Sequence, residues 1–326
     1  LTTNVGAVKP QLVAGPAKAK RWTSASITRG KKPMPVRILG YGVPGVGKTT
    51  FAAGAPDPVF LCSESGTQEF DVARLPSPET WDDVFDALAI LDEPHDFKTL
   101  VVDTVNWLEL LAWARLVEGP GAKWGGDTSA KLAKYEGGFN KGYDAVVSLW
   151  RVFVFELERH WKRGMNVILL AHSHVKGFND PSGPGYDRYE VQMHHKAAGV
   201  LQQWCDFVLF MRHEVVAKKD DSRRNKGTET GARIIHTRWS AAFEAKARVK
   251  LPDEIPLSWS EFASAVGAAE GAVDELKARI GRLIEQIGDV DVTKKATGYV
   301  AAAKNDPDRL AEIANALTVK LGNKEK

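Results

Sequence analysis

The run VRILGYGVPGVGKTT, Val36 to Thr50, constrains the fold of this chain more than any other stretch. Gly42, Gly47, Lys48 and Thr49 satisfy G-x-x-x-x-G-K-T, a loop whose backbone amides cradle phosphates. VRILG before it reads as a short apolar strand, and TTFAAGA after it begins a short helix. A chance match inside a glycine-rich linker lacks such flanks. Gly42, Val43, Pro44, Gly45, Val46, Gly47, Lys48, Thr49 and Thr50 are therefore the expected nucleotide-binding residues. Lys48 would reach the β- and γ-phosphates of ATP, and the Thr49 hydroxyl would hold Mg²⁺. The helix that starts here adds its N-terminal dipole.

Further apolar runs follow at intervals. PVFLCSE, TLVVDTV, MNVILLAH and WCDFVLFMRHE read as buried strands. Trp81 to Leu91 and Val146 to Lys162 have helical spacing or length. This alternation predicts an α/β fold, a three-layer P-loop core with a predominantly parallel sheet. RIIHTR and AKARVKL suggest added strands, antiparallel ones among them. Leu276, Ile280, Leu283, Ile284 and Ile287 share one helical face, and Pro307 to Leu321 repeats the pattern. The expected division is a flexible arm at residues 1–35, a core at 36–259 and a helical appendage at 260–326.

Asp103 closes the run LVVD and is the expected magnesium partner, acting through water. Thr104 follows it, so the acid that activates water must come from elsewhere. Glu64, at the end of the strand after the phosphate loop, is the chosen candidate; a turn role and the use of Glu69 are the alternatives. His172 ends ILLAH, where an imidazole can report on the γ-phosphate, with His174 as a weaker candidate. A zinc site built from His172, His174, His194 and His195 lacks persuasive spacing. The Gly- and Pro-rich segment from His172 to Lys196 carries Tyr186, Tyr189, Lys176, Arg188 and Lys196. It suits stacking and phosphate contacts on a single strand, or else forms a plain loop or hairpin. KKDDSRRNKG reads as a solvated hairpin tip.

Composition narrows the function little. The 326 residues are 44% hydrophobic and carry a net charge of +3, so any surface facing DNA must be local. Cys62 and Cys205 sit in apolar surroundings and read as buried free thiols. No run of about 18 apolar residues predicts a membrane span. LTTNVGAVKP lacks an export pattern, so a reducing cytoplasm is the expected compartment.

Taken in order, GYGVPGVGKTT, FLCSESGT, LVVDTV, ILLAHSH and AKARVKLP resemble the phage-encoded RecA-like ATPases of the Sak4 type. The resemblance spans roughly Val36 to Trp259. It implies a minimal RecA-like core in a bacterial host cytoplasm, with ATP and Mg²⁺ as cofactors. It places the water-activating glutamate at Glu64 and a polar sensor at His172, where classical recombinases usually have glutamine. It also likens Lys246 and Arg248 to basic residues that complete a neighbouring subunit's ATP site. On the residues alone, AKARVK reads as an exposed strand face with alternating bases.

The expected function is a DNA-stimulated ATPase that binds single-stranded DNA and promotes annealing or strand exchange in recombination or repair. A ring or filament of identical subunits and a single-strand-binding protein are the expected partners. A small-molecule or nucleotide kinase, a regulatory nucleotide-binding subunit and a DNA-translocating motor are the alternatives.

Overall fold

The computed structural model describes residues 26–28, 34–64, 66–139, 141–181, 183–219, 225–303 and 305–324. The expected arm therefore lies almost wholly outside the described residues, as do Ser65 and the tip of KKDDSRRNKG. By its contacts the chain divides into Leu1–Met34 and Pro35–Lys326.

In chain order the strands of the second unit are β1 (Arg37–Gly42), β2 (Pro58–Cys62), β3 (Ala73–Arg74), β4 (Thr99–Asp103), β5 (Asn166–Phe178), β6 (Tyr186–Val191), β7 (Phe207–Lys219), β8 (Asn225–His236), β9 (Lys246–Ala247) and β10 (Glu254–Pro256). Its helices are α1 (Lys48–Ala53), α2 (Trp81–Ala89), α3 (Val105–Glu118), α4 (Thr128–Lys134), α5 (Lys141–Lys162), α6 (His195–Trp204), α7 (Trp259–Ile287), α8 (Val290–Ala303) and α9 (Pro307–Lys324).

The sheet runs β10-β8-β7-β1-β5-β4-β2-β3. From β7 to β3 the neighbours are parallel, with β1 between β5 and β7. β8, β10, β6 and β9 pair antiparallel. The sheet is thus mixed rather than purely parallel: its centre is parallel, as expected, and antiparallel strands are added to it. The physical reason is connection length. β5 meets β6, and β7 meets β8, through short returns that only an antiparallel pair permits.

Side chains alternate across each central strand, so each strand feeds two cores. Leu39, Tyr41, Leu61, Val102 and Leu169 face a layer built from α2, α3, α5 and α6. Ile38, Phe60, Val101, Ile168 and Leu209 face α1 and the first turns of α7. Three layers result, with the phosphate loop at the carboxyl end of β1.

Phe262 of α7 packs edge-on against Phe51 of α1 at 5.9 Å and Phe207 at 5.1 Å. Val273, Ile280, Leu283, Leu310 and Leu317 form a separate core among α7, α8 and α9. α7 thus contributes to two clusters, Phe262 to the one with α1 and Val273 onward to the one with α8 and α9. Cys62 and Cys205 are buried free thiols. No helix among the described residues is long and apolar enough to cross a membrane.

Candidate functional site

Six residues of β1 bring the chain to Gly42, where the loop begins. A Cβ at Gly42 would sit 2.2 Å from the Met211 carbonyl oxygen of β7, so only glycine fits there. Gly47 has φ +108°, a conformation that favours glycine, and it caps α1. α1 is only six residues long, so the loop amides, more than a helix dipole, favour an anion. Val46 is fully buried in the core and serves the loop through its backbone alone.

Lys48 is the buried cation of the site. Its Nζ donates to the carbonyls of Gly42 and Val43, each at 3.1 Å, and lies 3.3 Å from His172 Nδ1. An ammonium has three donors, so these partners occupy all of them. Burial holds its pKa below the ordinary lysine value, partly offset by Asp103 and Glu64.

Thr49 donates its hydroxyl to Asp103 Oδ2 at 2.7 Å. Asp103 ends β4, level with Cys62 of β2 and Leu170 of β5. Burial raises its pKa, against the pull of the Thr49 bond. Glu64 lies two residues beyond β2. It accepts a short bond from the Thr104 hydroxyl and sits 3.4 Å from His172 Nε2. Burial pushes its carboxyl up, but the bonds from His172 and Thr104 outweigh that and hold it below the ordinary range. At neutral pH Glu64 is thus an anion.

His172 does not end its strand. β5 continues to Phe178 and pairs antiparallel with β6. His172 faces Gly42 in register, and its backbone N–H donates to Asn106 Oδ1 at 3.1 Å. With Nδ1 accepting from Lys48, the ring carries its proton on Nε2, toward Glu64. Lys48, His172, Glu64 and Thr104 thus form one continuous chain of polar contacts.

A cleft of about 400 Å³ opens over Gly45, Lys48, Thr49, Thr50 and Asp103. The set fits a magnesium-bound triphosphate. A buried ammonium with no carboxylate in direct contact awaits an anion, and a hydroxyl–carboxylate pair stands beside it. Among the described residues, no three of His, Cys, Asp or Glu converge as a metal-binding group, so the four histidines do not form one.

The structure adds residues that the sequence did not single out. Arg233 on β8 lies over Gly47, its Nη1 3.0 Å from where a Cβ would stand, and it lines the same cleft. Its place depends on the β7–β8 register, which no local motif signals. Asn106 and Glu109, on the first turns of α3, carry no local signal either.

Lys246 and Arg248 are not brought to this site. Lys246 donates to the Gln202 carbonyl at 2.6 Å, and Arg248 pairs with Asp206 at 3.0 Å. Asp206 also holds Arg37, at the opposite end of β1 from the loop. That is roughly 16 Å along the strand. Arg188 is likewise not free for phosphates, because it is buried and paired with Glu190 and Glu244. Tyr189 packs on Phe210. The segment after His172 is mainly the β5–β6 hairpin, with Lys176 and Lys196 exposed.

The AAA domain family matches the chain over residues 34–249. No curated protein matches it. A solved KaiC-like protein from the hyperthermophilic archaeon Pyrococcus horikoshii OT3 is similar at 14% identity, over 69% of this chain and 86% of that one, with a TM-score of 0.34. The family span takes in more than half of the chain and every residue of the cleft from Pro44 to Arg233. The chain therefore belongs to the AAA domain family, and its phosphate loop is a nucleotide site.

Proposed function

We propose that the protein is an ATPase stimulated by single-stranded DNA, which promotes annealing or strand exchange in recombination or repair. The observation that carries this reading is the occupancy of Lys48. All three of its donors are used, so phosphates gain a bond from Lys48 only if one partner yields. Gly42 and Val43 are fixed backbone. His172 is a side chain at the root of a hairpin that projects beyond the core sheet. Nucleotide state is then transmitted through His172 to the β5–β6 hairpin, which presents exposed Lys176 and Val175.

In this reading Lys48 and the loop amides hold the phosphates, and Glu64 orients water toward the γ-phosphorus. Mg²⁺ held by Thr49, with Asp103 behind it, neutralises charge on the phosphates. Arg233 supplies a cation from the same chain. Lys246 and Arg248 would act on a neighbouring copy in a ring or filament of this chain.

One observation favours a second reading, phosphoryl transfer to a small molecule. A separate cavity adjoins Glu64 and His172 and has room for an acceptor.

The test is ATP turnover without nucleic acid, with single-stranded DNA and with duplex, at fixed salt, while particle size is followed. Selective stimulation by the single strand with ATP-dependent assembly is expected. Its loss in a Lys246→Ala/Arg248→Ala double variant would support action between copies. Turnover indifferent to any DNA would overturn the reading. Disappearance of ATP with phosphate retained on an added small molecule would favour the kinase.

A further inference from the structure

The cavity beside Glu64 has a volume of about 680 Å³, within the range of ligand sites. Glu64 and His172 line both it and the phosphate cleft. One face of α3 supplies Asn106, Glu109, Leu110 and Trp113, at helical spacing. Trp107 stands at 44% exposure on the same helix. Tyr143 of α5 and His194, the residue before α6, close the far side.

The walls are aromatic and already stacked. Tyr143 and His194 lie 4.4 Å apart with their rings 12° from parallel, and Trp113 meets Tyr143 edge-on at 5.8 Å. Trp113 Nε1, His174 Nδ1 and His194 Nδ1 are buried without a hydrogen-bond partner. Such an orphan is relieved by a polar ligand once its ring turns toward the cavity. Imidazole torsions are soft, so a small turn of His174 or His194 presents its nitrogen to an occupant.

Charge selects among occupants. The lining holds two acids, Glu64, which is an anion, and the more buried Glu109, and neither lysine nor arginine. A phosphate or carboxylate group is therefore not what this cavity takes. A planar, uncharged heteroaromatic with donors and acceptors on its edge is. A neighbouring depression is lined by Arg151, His195, Lys196 and Asp144, and Lys196 is paired with Asp144, so Arg151 is the cation it offers to backbone phosphates.

We propose that this cavity holds one unstacked nucleobase of a single strand, so that base occupancy is felt at Glu64 and His172. The proposal rests on the single-strand reading above and names what that strand inserts. It explains why the aromatic walls and the catalytic carboxylate share one enclosure.

The experiment compares two oligodeoxynucleotides of equal length, one of thymidines and one with a central abasic tract, as stimulators of ATP turnover. A free thymidine arm is run beside them. The thymidine strand is expected to stimulate at a concentration roughly tenfold or more below that of the abasic strand. Trp107→Ala, at the exposed lip, is expected to abolish that difference. Equal stimulation by both strands would overturn the base cavity and leave the single-strand reading intact. Failure of both strands to stimulate would overturn both. Stimulation by free thymidine alone would show that the base comes from a small molecule and would overturn the strand.

Discussion

Among single residues, Glu109 is the most telling group outside the phosphate cleft. It is 4% exposed, and both its oxygens accept from the His194 backbone N–H. Burial pushes its pKa from 4.5 to about 7, and the His194 bond only partly offsets this. Between those values the folded chain keeps a proton that the unfolded chain has lost. Unfolding then releases a proton, so stability falls as pH rises through this window. The full penalty, reached above neutrality, is about 3 kcal/mol. Glu109→Gln keeps an acceptor for His194 and removes the charge. Urea midpoints between pH 4.5 and 7.5 should slope less in this variant than in the parent chain. An unchanged slope would mean that Glu109 does not titrate as its burial dictates.

Residue by residue, the reasons why some of the site was legible and some was not are physical ones. Gly42 to Thr49 are contiguous, and their chemistry is written in order. Glu64 and Asp103 each follow an apolar run, so strand ends located them. Arg233 and Glu109 have no such local mark. One depends on an antiparallel register and the other on which face of α3 meets β5 and α6. Lys246 and Arg248 are a different case. Their alternation alone read as an exposed strand face and only the resemblance lent them a role at a neighbouring subunit's site; within this chain Gln202 and Asp206 hold them at the far end of the sheet.

Among the elements, the central strands were legible because apolar runs mark buried strands. α3 was not, because VNWLELLAWARLVE is apolar nearly all round and offers no single stripe. α8, rich in Ala, Val and Thr, carries a weak stripe as well. The hairpin that continues β5 past His172 was only one of the open readings, because HSHVKGF alternates poorly. α7 serves two cores at once, and its first turns brace the phosphate loop through Phe262 and Phe51. Phe262→Ala should cost roughly 3–5 kcal/mol of stability. It should also weaken ATP binding, since α1 carries Lys48 and Thr49. Denaturant midpoints and a nucleotide titration on the same variant check both effects. Full affinity in a destabilised variant would show that α7 does not support the loop.

Across the molecule, a three-layer core places the nucleotide cleft, a polar relay and an aromatic cavity together at the carboxyl ends of β1, β2 and β4, beside His172 of β5. Glu64 joins the two enclosures, and in the proposed reaction it orients the water that attacks ATP. Glu64→Gln preserves size and an acceptor for Thr104 while removing the charge. The decisive measurement is single-turnover ATP hydrolysis by this variant, with ATP affinity measured alongside at the same salt. Affinity near that of the parent chain is expected, with hydrolysis slowed roughly 100-fold or more. Hydrolysis at the parent rate would contradict the role given to Glu64.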